Sequence, residues 1–258
     1  MKKLSGVVIS YNEEEKIDAA LSSLQDVSDE IVVVDSFSSD GTEAICRRFT
    51  DRFLQRTWSG YRDQKQFATH QASFDWVLSL DADEVLSPEL QQEVLLWKSG
   101  TDDGIDGYYL CRKTFFLGRW IEHTTWYPDW QMRLFRRSAG RWEGGRVHES
   151  FQVKGSTGRL SGDLHHHTYA SLSEYLRQLE RFTNLAAADY FDAGVRAGPA
   201  KLLLYPPWVF FRNYVLHRGF QDGVPGLAVS FLSAMSTFFK YLKLWELAAG
   251  DPKRAGDR

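Results

Sequence analysis

The chain has 258 residues, of which 43% are hydrophobic and 25% are charged. This composition is ordinary for a globular protein, and the length allows one large α/β domain or two smaller ones. The formal net charge of −3 excludes general nucleic-acid binding, which needs a strongly basic surface. The charge is uneven, because residues 196–258 contain nine Lys and Arg but only four Asp and Glu. A basic C-terminal region predicts contact with an anionic surface.

Four short apolar segments near the N-terminus predict buried parallel strands. They lie at Leu4–Ser10, Glu30–Asp35, Arg52–Gln55 and Asp75–Leu80. Apolar residues at helical spacing fill the intervals between them, and Asn12 is predicted to be the N-cap of the first helix. A later helix is predicted at Gly60–Ser73. Strands that alternate with helices in this way predict an α/β fold with a doubly wound, mostly parallel sheet.

Polar clusters follow three of these strands. They are Ser10-Tyr11-Asn12-Glu13, Asp35-Ser36 and Asp81-Ala82-Asp83. Ligands of open α/β sheets bind outside the carboxyl ends of the strands, so the three clusters are expected to line one crevice. Two carboxylates one residue apart repel each other unless a cation lies between them. A hard divalent ion in such a position usually bridges to phosphate, although Asp81 and Asp83 alone would also fit an acidic surface turn.

The middle of the chain, residues 106–154, has a different pattern. Strand-like alternation at Gly107–Phe116 and Gln131–Arg136, and a strand at Arg146–Phe151, predict a mixed β extension. This extension is expected to form the other wall of the crevice. The two cysteines, Cys46 and Cys111, match no metal motif and are expected to be reduced and buried.

The C-terminal part is predicted to be helical. Helical spacing at Ser171–Asp192 is followed by apolar stretches at Ala200–Leu216 and Gly226–Leu247. Pro206-Pro207 is expected to prevent a regular helix in the first of these stretches. Basic residues among Leu, Phe, Tyr and Trp predict amphipathic helices that lie on an anionic membrane. The alternative is that these helices simply pack on the rest of the protein.

No segment predicts export or a membrane span. The N-terminus leads directly into a strand without an apolar leader, and no run reaches 18 apolar residues. The protein is therefore expected to be cytoplasmic and attached only peripherally to a membrane.

Several motifs resemble those of a known family. VVISYNEEEKI, IVVVDSFSSDGT and WVLSLDADEVLSPEL resemble the family 2 glycosyltransferases. YPDWQMRLFRR, GGRVHESF, LHHHTYASLSEYL and FRNYVLHRGFQDGVPG resemble a branch that includes bacterial lipopolysaccharide inner-core β-1,4-glucosyltransferases. The resemblance covers nearly the whole chain. It implies the GT-A fold, a nucleotide-diphosphate sugar as donor, and inversion of the anomeric centre.

The resemblance also implies a domain organisation and partners. A GT-A catalytic domain is expected at 1–195, with a nucleotide-binding half at 1–105 and an acceptor and catalytic half at 106–170. A C-terminal helical, membrane-associating region is expected at 196–258. The expected partners are a UDP-sugar, a glycolipid acceptor and the inner leaflet of the cytoplasmic membrane, on whose cytoplasmic side the protein would lie.

The acid pair and one histidine are the metal ligands that the resemblance implies. Asp81 and Asp83 match the DXD motif and would hold Mg²⁺ or Mn²⁺ against the diphosphate. Asp83 is the expected direct ligand, while Asp81 is expected to contact the ribose, or the metal through water. His166 best matches the His-x-Ser/Thr-Tyr pattern of the branch. At least one of its neighbours, His165 and His167, is expected to be structural.

The nucleotide contacts are also implied by the resemblance. Asp35 matches the acid that reads the uracil edge in members that use UDP. Ser10, Tyr11 and Asn12 would line the base and the ribose. Lys65 lies where the family places polar contacts to the nucleotide, and the alternative is a solvated helix lysine.

An inverting transfer needs a base that takes the proton of the acceptor hydroxyl. Glu149 matches the position of the base in the family, and Asp129 is the rival. His148 would orient Glu149 or contact the sugar, or is structural. Gln131 and Arg133 are expected to contact phosphates of the donor or the acceptor.

The sequence thus predicts an inverting hexosyltransferase that uses UDP-glucose and a lipopolysaccharide inner-core acceptor. The alternatives are transfer to another cell-surface polysaccharide or lipid-linked acceptor, nucleotidyl transfer, and a non-catalytic nucleotide-sugar-binding module.

Overall fold

The computed structural model, which describes residues 1–145, 149–169 and 171–250, begins with four parallel strands. These are β1 (Leu4–Ser10), β2 (Glu30–Asp35), β3 (Phe53–Gln55) and β4 (Trp76–Asp81). They are arranged in the order β3-β2-β1-β4, and β1 is buried along its whole length. The register pairs Ser10 with Asp35 and Ile9 with Asp81, so the carboxyl ends of these strands meet at one edge.

Helices alternate with these strands, which confirms the predicted α/β arrangement. They are α1 (Ile17–Gln25), α2 (Thr42–Cys46), α3 (Tyr61–Gln71) and α4 (Pro88–Ser99). α4 illustrates the local signals: the Ser87 hydroxyl accepts a hydrogen bond from the Leu90 N–H at 3.2 Å, and Pro88 takes the first helical position. Cys46 and Cys111 are both buried, as predicted, and burial raises the pKa of the Cys46 thiol to about 12.

Strands from the second half of the chain extend the same sheet. The later strands are β5 (Glu84–Leu86), β6 (Gly107–Phe116), β7 (Arg119–Trp120), β8 (Asp129–Arg136), β9 (Gly140–Gly144), β10 (Glu149–Val153) and β11 (Thr157–His166). β8 pairs antiparallel with β4 and with β6. β11 then runs parallel to β6 and antiparallel to β5, with His166 opposite Glu84. The predicted mixed β extension is therefore continuous with the parallel strands.

The strands β9 and β10 form a separate antiparallel ribbon that carries Glu149. Phe151 of the ribbon stacks on Phe135 of β8, with ring centroids 3.7 Å apart. Trp142 lies edge-on to both rings. All three rings are buried, so the ribbon is fixed against the sheet, and α3 packs on both of its strands.

The chain divides into two compact units. The first contains residues 1–114 and 128–144 and the described part of 148–168. The second contains residues 115–127 and the described residues from 169 onwards. This division differs from the predicted boundary at 195, because the helix at Leu172–Asp192 belongs to the second unit. Its Tyr175 and Leu179 pack in one core with Val229 and Leu232.

The second unit is mainly helical. Its helices are α5 (Leu172–Asp192), α6 (Pro199–Phe211) and α7 (Gly223–Ala249), and a π-helical turn at Arg212–Leu216 continues α6. The predicted break at Pro206-Pro207 is wrong, since both prolines lie inside α6. Each proline removes one helical hydrogen bond, but α6 packs along α7, and tertiary packing overrides local propensity. Among the described helices, none combines the length and apolarity needed to cross a bilayer.

Candidate functional site

Asp81 lies at the end of β4, and a cation holds each of its carboxylate oxygens. Oδ1 is 2.7 Å from Lys65 Nζ, and Oδ2 is 2.7 Å from Arg133 Nη2. Burial raises the pKa of Asp81, but Lys65 and Arg133 outweigh this effect and hold that pKa well below its usual range. Because both cations are themselves buried, an acidic surface turn is excluded for Asp81.

The pairing continues from Arg133 towards β6. Arg133 Nη2 lies 2.6 Å from Oε1 of the fully buried Glu84. Arg112 lies 3.4 Å from the same oxygen and 2.7 Å from Asp129 Oδ2, and Gln131 donates a hydrogen bond to Asp129 Oδ1 at 2.7 Å. Burial lowers the pKa of Arg133, but the two carboxylates beside it outweigh burial and raise that pKa, so the guanidinium stays charged.

Lys65 extends the pairing in the other direction, to Glu149. Its ammonium lies 2.8 Å from Glu149 Oε1 and 5.2 Å from the centre of the Trp142 ring. Acidic and basic side chains alternate along the whole series of ion pairs. In order, the ion-pair chain consists of Glu149, Lys65, Asp81, Arg133, Glu84, Arg112 and Asp129. The two residues that the sequence nominates as the base, Glu149 and Asp129, are thus the two ends of one network.

Asp83 pairs with a histidine instead. His166 Nε2 lies 3.4 Å from Asp83 Oδ2, and the Thr168 hydroxyl lies 2.8 Å from His166 Nδ1. Burial raises the pKa of Asp83, but His166 more than offsets this and lowers it below the usual value. The backbone N–H of His167 donates to the Asp83 carbonyl oxygen at 2.9 Å. The ring of His166, which is one of three adjacent histidines, therefore pairs with this acid.

The Asp83 and His166 side chains fit a divalent cation, whereas Asp81 does not fit as a direct ligand. A carboxylate oxygen and an imidazole nitrogen suit Mn²⁺, and the carboxylate suits Mg²⁺. Asp81 already directs both oxygens to Lys65 and Arg133. Within the ranges that the structure describes, no three acidic, His or Cys side chains are grouped so as to hold a metal. A cation on Asp83 and His166 would therefore take further oxygens from a ligand, as Mg²⁺ commonly does from phosphates.

A serine-rich loop that follows β2 lies at the carboxyl ends of β1 and β2. Asp35 is 0% exposed; its Oδ1 accepts a hydrogen bond from Ser10 Oγ at 2.9 Å, and its Oδ2 accepts one from the Ser38 N–H at 2.7 Å. The Asn12 N–H donates to Ser38 Oγ at 2.8 Å. Asn12 has a left-handed backbone, with φ 53°, and α1 begins only at Ile17, so the predicted N-cap at Asn12 is wrong.

The structure brings most of the predicted site residues together, but the burial and contacts of several of them differ from the predicted ones. Lys65 is 3% exposed and is not a solvated helix lysine. Arg133 is 3% exposed, and its Nη2 contacts the carboxylates of Asp81 and Glu84. His148 lies outside the described residues. Sequence reasoning missed Glu84 and Arg112, and the one available signal was the third acid of the DADE motif.

Comparison with known proteins identifies the family. Residues 5–154 match the model described as Glycosyl transferase family 2. The chain belongs to this family. It is 31% identical over 250 residues to the lipopolysaccharide core biosynthesis glycosyltransferase LpsC of Rhizobium meliloti (strain 1021), covering 94% of this chain and 92% of LpsC. It is 28% identical to the uncharacterized glycosyltransferase RT0209 of Rickettsia typhi, covering 96% and 88%. The predicted resemblance is confirmed.

A solved structure supports the fold. The mannosyltransferase PcManGT from Pyrobaculum calidifontis, in complex with GDP-Man and Mn²⁺, matches with a TM-score of 0.53 at 15% identity. The match covers 95% of this chain and 86% of PcManGT. At this identity the likeness concerns the fold alone, and the GT-A fold predicted from the motifs is confirmed.

Replacing Arg133 by Met tests whether the ion-pair chain stabilises the fold. The substitution leaves the fully buried Glu84 and the partly buried Asp81 without their shared cation, so the free energy of unfolding at pH 7 should fall by about 3–5 kcal/mol. Chemical denaturation measures it. Arg62→Met is the matched control, because Arg62 pairs with Asp63 on the surface and its loss should stay within about 0.5 kcal/mol. Equal, small effects of both substitutions would contradict this account.

The pH dependence of the effect has a definite sign. Folding lowers the pKa of Asp81 from its ordinary value of 3.8, so the stabilisation is complete above that value and is lost as the pH falls below it. The difference in unfolding free energy between the wild type and Arg133→Met should therefore shrink on acidification.

Proposed function

We propose that the protein is an inverting hexosyltransferase that uses a UDP-sugar, most simply UDP-glucose. The proposed acceptor is the lipopolysaccharide inner core or another membrane glycolipid. LpsC, which matches nearly the full chain, is named for lipopolysaccharide core biosynthesis. The observation that carries the proposal is the pairing of Asp83 with His166 beside a network that contains both Asp81 and Glu149.

Asp83 and His166 are proposed to hold Mg²⁺ or Mn²⁺ at the diphosphate. A cation there would neutralise the charge that develops on the UDP leaving group. PcManGT, which shares the fold, is named as a complex with GDP-Man and Mn²⁺. Asp81 is proposed to orient Lys65 and Arg133 around the donor, with at most a ribose or water-mediated contact.

The nucleoside is proposed to bind at the carboxyl ends of β1 and β2. Tyr11 offers an aromatic face that is 58% exposed, and Ser10 and Asn12 flank it. Asp35 contributes through the loop that it holds in place, because its own oxygens accept hydrogen bonds from Ser10 and Ser38.

Glu149 is proposed as the base, in preference to Asp129. Lys65 fixes Oε1 of Glu149, while Oε2 accepts no hydrogen bond from the described residues. Asp129 has no comparable freedom, since Arg112 donates to Oδ2 and Gln131 donates to Oδ1. Glu149 would take the proton of the acceptor hydroxyl as its oxygen attacks the anomeric carbon and the bond to UDP breaks.

Replacing Glu149 by Gln should lower the turnover number by about 10²- to 10⁴-fold, because the amide cannot accept the proton. UDP affinity should change little, since the amide oxygen still accepts from Lys65. The assay is UDP release from a panel of nucleotide sugars with core-truncated lipopolysaccharide, and the wild type should be fastest with UDP-glucose.

Asp129→Asn is the matched control for this experiment. It should retain far more turnover than Glu149→Gln, and the opposite order would transfer the role to Asp129. Release of pyrophosphate instead of UDP would indicate nucleotidyl transfer. Release of neither product with any donor and acceptor would favour a binding module.

The helical unit is proposed to lie on the anionic inner leaflet of the cytoplasmic membrane. It exposes many large apolar side chains, and contiguous patches of such side chains mark interaction sites. Those on α6, on the turns that follow it and on the first turn of α7 include Leu203, Leu204, Trp208, Phe211, Leu216, Phe220 and Val224. The same unit carries Arg212, Arg218, Lys240 and Lys243. Apolar surface combined with basic residues favours an anionic bilayer as the partner.

Liposome flotation of the full chain tests this contact. Leu204→Glu combined with Trp208→Glu should reduce recovery with anionic vesicles by about tenfold or more, because two exposed apolar groups that would enter the bilayer become charges. The control combines Leu95→Glu and Leu96→Glu on α4, where two apolar residues are also exposed. Recovery that drops equally for both double variants, or for neither, would contradict the proposed membrane face.

A further inference from the structure

Phe37 combines an unfavourable backbone with an exposed aromatic ring. It follows β2 by two residues, its φ is 61°, and its side chain is 54% exposed. A bulky residue rarely adopts a left-handed backbone, whereas glycine does so without a steric penalty. The chain therefore keeps a large apolar ring at a position where glycine would be easier to accommodate.

The loop around Phe37 is held on both sides. Ser36, which precedes it, accepts a hydrogen bond from Gln64 Nε2 at 3.1 Å. Ser38, which follows it, donates its backbone N–H to the buried Asp35 at 2.7 Å and accepts from the Asn12 N–H at 2.8 Å. Strained residues persist where their surroundings fix them in this way, and such residues cluster at functional sites.

A turn elsewhere in the chain shows how the connection between two strands can account for a positive φ at an exposed residue. Leu117 is also exposed and has φ 49°, and Gly118 beside it has φ 81°. These two residues connect β6 to β7, and a two-residue hairpin with a type I′ turn has positive φ at both positions. Phe37 joins no hairpin, since β2 continues to α2, so the strand connection does not impose its conformation.

The groups exposed at this edge have the chemistry of a stacking site. The carboxylate of Asp35 is fully buried and already accepts hydrogen bonds, so it does not face a ligand. Tyr11 and Phe37 are exposed aromatic groups at this edge, and they follow neighbouring strands whose ends pair at Ser10 and Asp35. Aromatic faces bind flat heterocycles by stacking and have little to offer a pyrophosphate.

We propose that Phe37 is a donor-binding residue that stacks on the nucleobase, and that the loop tolerates its left-handed backbone for this purpose. The inference rests on the proposed function, because the ligand is the nucleobase of the nucleotide-sugar donor. It adds a second aromatic contact to that of Tyr11, on the strand that ends in Asp35.

Calorimetric titration with UDP and Mg²⁺ tests the contact in the full chain. Phe37→Ala and Phe37→Gly should both weaken UDP binding by about 5- to 100-fold, the range for loss of one stacked aromatic side chain. Phe37→Tyr should bind as the wild type does. Magnesium pyrophosphate, which lacks a base, should bind all four proteins alike.

Thermal unfolding separates the effect of losing the Phe37 ring from the effect of relieving its left-handed backbone. Phe37→Gly should melt about 2–4 °C above Phe37→Ala, because glycine relieves the left-handed strain and both variants lose the same ring. Unchanged UDP affinity in both variants would overturn the proposal, as would equal losses for UDP and pyrophosphate. If the wild type binds magnesium pyrophosphate but not UDP, or neither, the proposed function fails, and this inference fails with it.

Discussion

Asp81 is held between two buried cations, Lys65 and Arg133, and this contact joins three elements of the first unit. Lys65 comes from α3, Asp81 from the end of β4, and Arg133 from β8. Even a partly buried carboxylate is costly to leave unpaired, so the end of β4 constrains two other elements that are distant in sequence. Lys65 in turn fixes Glu149 on the ribbon, and Arg133 fixes Glu84 beside the acid motif.

Because of this pairing, the two aspartates of the acid motif have different partners. Asp81 already pairs with two protein cations, whereas Asp83 pairs, among the described residues, with a histidine 3.4 Å away and could share a metal with it. The same network distinguishes the two candidate bases. Asp129 accepts hydrogen bonds at both oxygens, while Glu149 is held through one. The carboxylate oxygens that are already paired thus distinguish the proposed donor-side acids from the proposed base.

The sequence predicts the locally determined features well. The bounds of β1, β2 and β6 agree with the predicted ones, because short, apolar, β-branched runs decide them. Features that depend on contacts between residues far apart in the sequence could not be predicted from local patterns. Arg112 and Arg133 form ion pairs with Glu84 from other strands of the sheet, and no local sequence pattern predicts these ion pairs. Pro206-Pro207 inside α6 is another case, since packing on α7 overrides a strong local signal.

The central claim is that Asp83, and not Asp81, binds the metal, and Mn²⁺ affinity in the presence of UDP tests it most directly. Electron paramagnetic resonance titration of Asp83→Asn should show affinity weakened by about 10- to 100-fold or more, as expected when a metal site loses a partner. Asp81→Asn, checked for folding by thermal unfolding, should bind Mn²⁺ within about threefold of the wild type, because its carboxylate serves Lys65 and Arg133. The opposite order, with folded Asp81→Asn losing Mn²⁺ and Asp83→Asn retaining it, would contradict the account.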